Sequence, residues 1–370
     1  MNEVARMDNG MVGFHDRRML YLQVKDFILD QIERGVFKEG ELIPAERELA
    51  ESLKISRYTV RRALQELVDE DYLYRVQGSG TFVKERNNNA AKRSDSIGIV
   101  MPFWDAETEM MLLSGMQKAL RETEYSMTLF TSDNDSGKEI EGVRRLKDEG
   151  VAGLIIMPSE DPHGGKAALQ LKKEGFPFVL VDRRVGGCIT DCVMSDNIQG
   201  GYSATKHLVE LGHRKIAFLR HENDQTSSIR DRFKGYEEAM SDHGLKDSLM
   251  FSYDYRDGLS KLGEFLAQRK YTAVVTGNGV VARDVVRKCR EQDVAIPDEL
   301  SVVSFDDLSI LKMLDIALTT VTQHSEAMGA KAVHLLVDQI NNRSGELRYY
   351  AQYYYPTQLV KRNSCKKLVR

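Results

Sequence analysis

Cysteine is scarce in this chain of 370 residues, which contains four of them in scattered positions. Cys188 and Cys192 have the spacing of one metal-ligand pair, but no second pair or histidine cluster lies near them. We therefore interpret them as ordinary thiols, with a metal pair as the alternative. No catalytic triad is indicated by the spacing of His207, His213, His221 and His324. The sequence predicts no metal site, no catalytic site and no cofactor.

Hydrophobic runs of membrane-spanning length are absent, and the charged N-terminus MNEVARMDNGMVGFHDRRM lacks the apolar core of a signal peptide. An excess of basic residues is absent as well, because the formal net charge is −4, which argues against a general polyanion binder. Charged residues make up 29% and hydrophobic residues 42% of the chain, as in an ordinary soluble protein. We expect a cytoplasmic protein of two or three domains.

Hydrophobic periodicity disappears in the segment KERNNNAAKRSD, which is polar and rich in asparagine. Such a composition indicates a linker, here residues 85–95, between two folded parts. We predict a flexible N-terminus over residues 1–16, one domain over residues 17–84 and a second over residues 96–365. The chain shows no internal repeat.

Three helices and a two-stranded hairpin are predicted in the first domain. Its apolar residues recur at helical spacing, as seen for Leu20, Val24, Ile28, Ile32, Leu49, Leu53, Val60, Leu64 and Leu67. Gly35 can end the first helix, and Ser56 can cap the third. YLYRV and TFVKE are typical of strands, and Gly78 and Gly80 in the turn between them permit close approach to a sugar-phosphate backbone. This order of elements is that of a winged helix-turn-helix.

The third helix carries arginine side chains close to its N-terminus. Arg57 and Arg61 lie four residues apart on one side of the helix, and Tyr58 and Arg62 lie on the neighbouring side. Guanidinium groups in such positions can reach guanine edges or phosphates in the major groove of DNA. Acidic and basic residues roughly balance over the domain, so binding depends on local placement and we expect two copies to bind together.

Two segments of the domain resemble the DNA-binding domain of GntR-type regulators, namely YLQVKDFILDQIERGVFKEGELIPAERELAESLKISRYTVRRAL and QGSGTFV. The resemblance implies a double-stranded DNA partner. It implies base contacts by Glu46, Arg57, Arg61 and Gln77, and phosphate contacts by Arg47, Thr59, Arg62 and Gly78. The predicted surface is completed by Ser56, Tyr58 and Gly80. An alternative role for Glu46 is to pair with an arginine and orient it.

Short apolar runs alternate with amphipathic helical stretches in the second domain. The runs are SIGIVM, SMTLF, GLIIMP, FVLVD, CVMSD, KIAFLR, LMFSY, AVVTG and SVVSFD. This alternation predicts an α/β fold with doubly wound parallel sheets. So many strands favour two lobes and a cleft, to which the carboxyl ends of the strands supply ligand groups. We predict lobe 1 at residues 96–195 and 324–351, and lobe 2 at residues 196–323 and 352–365.

Several segments resemble the effector domain of LacI/GalR regulators, among them HLVELGHRKIAF and PDELSVVSFDD. The resemblance extends over nearly all of residues 96–360 and implies the two-lobed fold of periplasmic sugar-binding proteins. It implies a small sugar effector contacted by Trp104, Asp105, Asp133, Ser159, Asp182, Arg183, Arg232, Asn278, Asp306 and Gln323. The chain departs from the usual pattern at Asn278-Gly279, where members of the family usually have an Asn-Asp pair.

The implied cleft residues suit the chemistry of a polyol. Vicinal hydroxyl groups donate and accept hydrogen bonds, so carboxylates, amides and guanidinium groups can bind them in pairs. The aromatic face of Trp104 can stack on the apolar side of a sugar ring. The alternatives are structural roles, in which Asp182 and Asp306 cap helices or brace strand ends and Trp104 is a surface aromatic residue.

A GntR-type headpiece on a LacI-type effector domain resembles the layout of the arabinose repressors of some bacteria. We expect a homodimeric transcription regulator, a repressor of carbohydrate-utilisation genes, whose affinity for operator DNA is changed by a small sugar. The alternatives are a non-sugar effector such as a nucleobase, an activator, and more remotely an enzyme or a solute-binding protein. The helix-turn-helix pattern and the missing signal peptide disfavour a solute-binding protein.

Overall fold

The structure is a computed structural model whose described residues are 20–69, 72–76, 78–84, 95–104, 107–159, 164–309, 316–341 and 350–368. The chain forms two compact units, which divide between residues 92 and 93. The predicted N-terminal segment 1–16, nearly all of the linker 85–95, and the site residues Gln77 and Asp105 lie outside the described residues. Within the described ranges, no helix has the length and apolar character needed to cross a membrane.

The first unit is a winged helix-turn-helix, as predicted. Its elements are α1 Leu20–Glu33, α2 Glu46–Leu53, α3 Arg57–Asp69, β1 Leu73–Val76 and β2 Gly80–Val83. One apolar core, which includes the fully buried Val24, Ile28 and Leu67, joins the three helices to the antiparallel hairpin. Because α3 buries its apolar side in this core, its arginine side remains exposed to solvent.

Two local features fix the direction of α3. Lys54 ends α2 in the left-handed region with a φ of 55°, and its N–H donates to carbonyl oxygens of the preceding turn. Ser56 caps α3 as predicted, because its Oγ accepts a hydrogen bond from the N–H of Thr59 at 3.1 Å. The turn between α2 and α3 is therefore determined by short-range hydrogen bonds.

Alternating strands and helices form the second unit, which confirms the α/β prediction. Its strands are β3 Ser96–Met101, β4 Ser126–Thr131, β5 Leu154–Ile156, β6 Phe178–Val181, β7 Cys192–Ser195, β8 Ile216–His221, β9 Met250–Tyr253, β10 Ala273–Thr276, β11 Ser301–Phe305, β12 Thr319–Thr322, β13 Gln352–Tyr355 and β14 Gln358–Val360. Its helices are α4 Glu107–Leu120, α5 Ser136–Asp148, α6 Lys166–Glu174, α7 Asn197–Glu210, α8 Ser227–Asp242, α9 Ser260–Ala267, α10 Gly279–Glu291 and α11 Ser325–Asn341.

Two six-stranded sheets define the two lobes. The sheet of lobe 1 has the order β13-β7-β6-β5-β3-β4 and is parallel throughout. The sheet of lobe 2 has the order β14-β12-β11-β10-β8-β9 and is parallel except where β14 pairs with β12. Helices cover both faces of such sheets, so the inner strands are buried on both sides and have continuous apolar sequences.

The predicted lobe boundary after residue 351 needs correction. β13 pairs with β7, with Gln352 opposite Cys192, so this strand belongs to lobe 1, and the chain returns to lobe 2 only at β14. Along β13, exposed and partly buried residues alternate, as expected for an edge strand that lacks a continuous apolar run. The sequence prediction also missed β12 and β14, which are four and three residues long.

The helices α7 and α8 of lobe 2 approach each other closely at two glycines. A Cβ atom at Gly201 would lie 2.0 Å from the carbonyl oxygen of Arg232, and one at Gly235 would lie 1.9 Å from that of Ile198. Because only glycine permits this distance between backbones, α8 is held against the N-terminal half of α7. This contact brings the side chain of Arg232 to that of Asn197, which begins α7.

Cys188 and Cys192 are buried free thiols. Burial raises the pKa of both thiol groups, so without a metal ion both stay protonated at neutral pH. In the described part of the chain, no group of three or more His, Cys, Asp and Glu side chains is arranged to hold a metal ion. The chemistry of the two thiols thus favours ordinary buried cysteines.

Candidate functional site

In the first unit, Glu46 brings three arginines together. Its Oε2 accepts hydrogen bonds from the Nε of Arg61 at 3.0 Å and of Arg57 at 3.4 Å, and its Oε1 lies 3.6 Å from Nη2 of Arg75. The Glu46 side chain is 20% exposed, whereas those of Arg57 and Arg61 are 62% and 54% exposed. The carboxylate therefore lies behind the guanidinium groups and orients them towards solvent, which is the alternative role considered for Glu46.

Arg75 is a member of this cluster that sequence reasoning missed. It lies on β1, opposite Thr81 of β2, and its Nη1 donates to Oε1 of Gln65 on α3 at 3.1 Å. The arginine thus links the wing to the third helix. Its strand position in YLYRV was visible in the sequence, but its proximity to Glu46 depends on how the hairpin packs against α3.

The other predicted DNA-binding residues differ in their surroundings. Tyr58 is 74% exposed, and Gly78 and Gly80 have positive φ values of 79° and 123°. The guanidinium of Arg62 lies 3.8 Å from the centroid of the Tyr21 ring, and Arg47 pairs with Glu51 at 2.9 Å. The hydroxyl groups of Ser56 and Thr59 hydrogen-bond to each other at 2.7 Å. Tyr58 and Arg47 are thus both largely exposed, and Arg47, Arg62, Ser56 and Thr59 have local partners.

In the second unit, Asp182 and Arg183 follow β6 and are both more than nine-tenths buried. Nε of Arg183 donates to Oδ2 of Asp182 at 3.2 Å, and its Nη1 donates to the carbonyl oxygen of Pro158 at 2.7 Å. Asp182 has a φ of 65°, a conformation that is uncommon outside glycine and asparagine and often marks functional positions. The two side chains form a buried ion pair at the carboxyl edge of the lobe 1 sheet.

A second polar group connects the two lobes. Oγ of Ser195, at the end of β7, donates to Oε1 of Gln323 at 2.6 Å, and Nε2 of Gln323 donates to Oδ1 of Asp306 at 2.5 Å. Asp306 follows β11 with a φ of 66°. These two hydrogen bonds, which we call the relay from Ser195 to Asp306, connect the carboxyl ends of strands from both sheets. The residue between them, Gln323, follows β12, where the chain passes from lobe 2 to lobe 1.

Arg232 and Asn278 form the lobe 2 side of the candidate cleft. The buried Arg232 donates from Nε to Oδ1 of Asn197 and from Nη1 to the carbonyl oxygen of Gly277, both at 2.7 Å. Its guanidinium carbon lies 4.3 Å from the centroid of the Phe305 ring, which adds a cation–π contact. Asn278 caps α10, because its Oδ1 accepts from the N–H of Val281 at 3.0 Å.

Three predicted effector residues have other partners or lie at the surface. Asp133 is an exposed residue whose Oδ2 accepts a hydrogen bond from Nζ of Lys138 at 2.7 Å. Ser159 donates from its N–H at 2.6 Å and from its Oγ at 2.5 Å to Oε2 of the buried Glu139. Trp104 is 57% exposed. Among the other predicted residues that the structure describes, Arg183 is hydrogen-bonded to Asp182 and Gln323 to Asp306, whereas these three show no hydrogen bond to them.

Glu109 is a cleft residue that sequence reasoning missed. It lies in the first turn of α4, is 9% exposed, and interacts electrostatically with Arg183, Asp182 and Asp306. Burial raises the pKa of its carboxyl group to about 7, Arg183 opposes the shift, and the two aspartates add to it. The sequence gives no local signal that separates it from Glu107 in the same turn, because its charged neighbours Arg183, Asp182 and Asp306 come from distant segments.

At Gly279, a side chain would meet the side chain of Leu308. A Cβ atom there would lie 2.4 Å from Cδ1 and 2.7 Å from Cγ of Leu308. Leu308 therefore fills the space that the aspartate usual in LacI/GalR regulators would need. The departure at Asn278-Gly279 removes a carboxylate from the cleft and replaces it by an apolar contact.

One ion pair spans the opening between the lobes. Arg184, which follows β6 of lobe 1, binds Asp231 of α8 in lobe 2 with both terminal nitrogens, one of them at 2.7 Å from Oδ1. Its backbone N–H also donates to Oγ of Ser227 at 2.9 Å. A two-pronged pair of this kind fixes both distance and angle, so it stabilises the present arrangement of the lobes.

A winged helix-turn-helix with an exposed arginine cluster, followed by a two-lobed domain with buried polar groups at the strand ends, defines a ligand-responsive transcription regulator. Residues 20–83 match the family of bacterial regulatory proteins of the gntR type, and residues 205–365 match the periplasmic binding protein-like domain. Both matches agree with the resemblances found in the sequence.

Relatives of known name match nearly the whole chain. An arabinose metabolism transcriptional repressor from Geobacillus stearothermophilus is 33% identical over 94% of this chain and 98% of its own length. A repressor of the same name from Halalkalibacterium halodurans is 28% identical over 86% of this chain and 89% of its own length. The chain belongs to this family of transcriptional regulators, which joins a gntR-type headpiece to a periplasmic-binding-protein-like domain.

A solved structure supports the fold of the second unit. The LacI family transcriptional regulator from Enterococcus faecium, crystallised with bound ribose, has a TM-score of 0.65 and 25% sequence identity to this chain. The match covers 74% of this chain and all of that one. The two-lobed architecture is therefore that of LacI-type regulators.

The raised pKa of Glu109 predicts a pH dependence of stability. Between its ordinary pKa of 4.5 and the folded value of about 7, the folded chain binds a proton that the unfolded chain releases, so the unfolding free energy falls as pH rises through this range. Glu109→Gln has no carboxyl group to titrate here, so it lacks this loss of unfolding free energy. The unfolding free energy of the variant minus that of wild type should therefore increase by on the order of 2 kcal/mol from pH 5 to pH 8. Urea unfolding at both pH values measures the difference.

The control is Glu141→Gln, which changes an exposed glutamate on α5. Its stability relative to wild type should be the same at both pH values. If Glu109→Gln behaved like this control, the assignment of a raised pKa to Glu109 would be wrong.

Proposed function

We propose that this chain is a sequence-specific repressor of carbohydrate-utilisation genes, and that a small sugar bound between the lobes changes its affinity for operator DNA. The observation that carries the proposal is the presence on one chain of an oriented arginine cluster on α3 and a set of buried donors and acceptors at the strand ends of two lobes. The names of the relatives, which are arabinose metabolism repressors, support a sugar effector.

In this proposal α3 enters the major groove of DNA. Arg57 and Arg61 reach base edges, and the carboxylate of Glu46 holds both guanidinium groups in position before DNA binds. Pre-orientation reduces the entropy that the long side chains lose on binding. Gly78 and Gly80 bring the wing backbone near the phosphates, where Arg47 also binds, and Gln77 contacts a base.

The effector is held where both lobes present polar groups. Asp182, Asp306 and Gln323 supply acceptors, and the guanidinium groups of Arg183 and Arg232 supply donors. A polyol binds such a set because each hydroxyl both donates and accepts. A ligand without these hydroxyls would leave buried groups unpaired, which gives the cleft its selectivity.

Two copies of the chain act together. Large apolar side chains are exposed in the first turns of α4 and at Trp104, three residues before this helix, with Trp104, Met110 and Met111 between 42% and 57% exposed. Exposed apolar groups of this size indicate a contact surface, and we assign it to a homodimer that binds a palindromic operator in the cytoplasm. The half-sites would then lie about one helical turn apart or a multiple of it.

The sugar acts through the relative position of the lobes. Two sets of contacts cross between the lobes, namely the ion pair of Arg184 with Asp231 and the relay from Ser195 to Asp306. A ligand that binds one arrangement of the lobes more tightly increases the population of that arrangement. Such coupling typically amounts to about 1–3 kcal/mol between sites. The effect on DNA is a change in the spacing of two headpieces.

The arginine cluster yields a first prediction for this function. Arg57→Ala should lose about 1–3 kcal/mol of operator affinity and relax sequence preference, because a base-reading guanidinium is removed. Gel-shift titration with the operator and with a base-substituted operator measures both effects. Arg34→Ala is the matched control, since Arg34 is an exposed arginine of the same unit that pairs with Asp30. Unchanged operator binding by Arg57→Ala would refute its assignment to the groove.

The cleft yields a second prediction. Arg232→Ala should abolish the response to sugar while operator binding without sugar stays intact, because the effector loses a buried donor. Calorimetry with the sugar that binds wild type measures the loss. Asp306→Asn, which keeps the shape of the side chain, guards against a folding defect in the first variant and should also weaken binding. Wild-type sugar affinity in both variants would exclude this cleft as the effector site.

A further inference from the structure

The candidate cleft continues into a cavity of about 510 Å³ that is lined by both lobes. We call it the α10 chamber and define it by Phe103, Asn134, Tyr255, Asn278, Arg283 and Arg287. Phe103 and Asn134 come from lobe 1, and the others come from lobe 2. Asn278 is shared with the predicted effector site. A volume of this size is within the range of small-molecule sites, so the chamber is large enough for a ligand group.

The acidic groups in the wall of the chamber have hydrogen-bond partners already. Oδ2 of Asp284 accepts from Nε2 of His221 at 3.3 Å and from the hydroxyl of Tyr253 at 3.2 Å, and its Oδ1 accepts from Nη2 of Arg283 at 3.2 Å. Asp224 accepts from the hydroxyl of Thr226 at 3.0 Å. These carboxylates are therefore satisfied by the protein itself and need no cation from solvent.

The basic groups of the chamber are more available. Arg283 and Arg287 lie four residues apart on one face of α10, and both are exposed. Among the described residues, Arg287 makes no hydrogen bond or ion pair within 4 Å. Glu291, the acid one turn further on, is bound by Nζ of Lys288 at 2.7 Å. Among the described residues, the chamber thus presents one guanidinium without a hydrogen-bond partner beside a second that retains further donors.

Several carboxyl groups lie near one another at the strand ends of the cleft. Glu109, Asp182 and Asp306 are close enough to interact electrostatically, with Arg183 as the cation among them. Nε and Nη1 of Arg183 are engaged by Asp182 and by the carbonyl oxygen of Pro158. An anionic ligand group is repelled by the carboxylates of Asp182 and Asp306. In the chamber, by contrast, it can accept hydrogen bonds from Arg283 and Arg287, because the carboxylates there are already hydrogen-bonded within the protein. A sugar with one acidic group would therefore bind in one orientation.

We infer that the effector is an acidic sugar derivative whose carboxylate or phosphate binds Arg283 and Arg287 in the α10 chamber, while its hydroxyl groups face Arg232 and Asp306. The inference rests on the proposed function and specifies the ligand class of that site. Guanidinium groups bind both anions through paired hydrogen bonds, so the shared chemistry is an anion carried on a polyol. Phe103 and Tyr255 flank the chamber from opposite lobes and offer apolar faces to the ring.

The test uses sugars that share one ring configuration and differ in the substituent on it. These are L-arabinose, D-galactose, D-galacturonate and D-galactose 6-phosphate, titrated calorimetrically into the full-length protein. At least one acidic member should bind about tenfold or more tightly than the two neutral members, since a hydrogen bond to a charged group contributes roughly that factor. Galacturonate alone showing the gain identifies a carboxylate, and the phosphate ester alone identifies a phosphate.

The variants separate the chamber from general electrostatics. Arg283→Gln/Arg287→Gln should remove the advantage of the acidic sugar and leave the affinity for the neutral ones unchanged. Arg144→Gln/Arg145→Gln removes the same charge from α5, where both arginines pair with acidic neighbours one turn on, and should keep the advantage.

Each outcome decides between the two proposals. If neutral sugars bind and acidic ones bind no better, or if the advantage survives in Arg283→Gln/Arg287→Gln, the anionic site is overturned and the sugar effector remains. If none of the four sugars binds, the sugar effector and the anionic site are both overturned.

Discussion

The buried guanidinium of Arg232 is the interaction on which the candidate cleft depends. It hydrogen-bonds Asn197 at the start of α7 and the backbone after β10, and it packs on the ring of Phe305, directly before Asp306. These contacts exist because Gly201 and Gly235 let α7 and α8 approach at backbone distance. A buried charge needs such partners, since an unpaired guanidinium in the interior costs several kcal/mol. The position of one side chain is thereby connected to the packing of the whole lobe.

The need to pair buried charges applies both to the cleft and to the headpiece, with different results. In the cleft, charges are buried and matched within the protein, so a ligand competes with or completes existing hydrogen bonds. On the headpiece, one partly buried carboxylate at Glu46 serves three guanidinium groups, and the surplus positive charge is turned outward. A polyol suits the first arrangement and a phosphate-rich duplex suits the second, although the net charge of the chain is negative.

Local patterns made much of the fold predictable. Strands such as β3 and β6 are buried on both faces and therefore have continuous apolar sequences, whereas the edge strand β13 alternates and was assigned to the wrong lobe. In the site, Asp182 and Arg183 were predictable because they follow a recognisable strand. Glu109 and Arg75 were not predictable, because their partners come from distant segments of the chain and a local sequence pattern does not show which distant segments pack together. The contact that Leu308 makes at Gly279, where the family usually has an aspartate, could likewise not be read from the sequence.

The central claim is that the cleft and the DNA-binding surface are energetically coupled. Coupling of binding sites is reciprocal, so operator DNA must change the affinity for sugar by the same factor by which sugar changes the affinity for operator. The most direct measurement is the dissociation constant of a sugar that binds the free protein, with L-arabinose tried first, in the absence and presence of saturating operator DNA. The account predicts a change of roughly 5–150-fold. An identical dissociation constant in both conditions would contradict it.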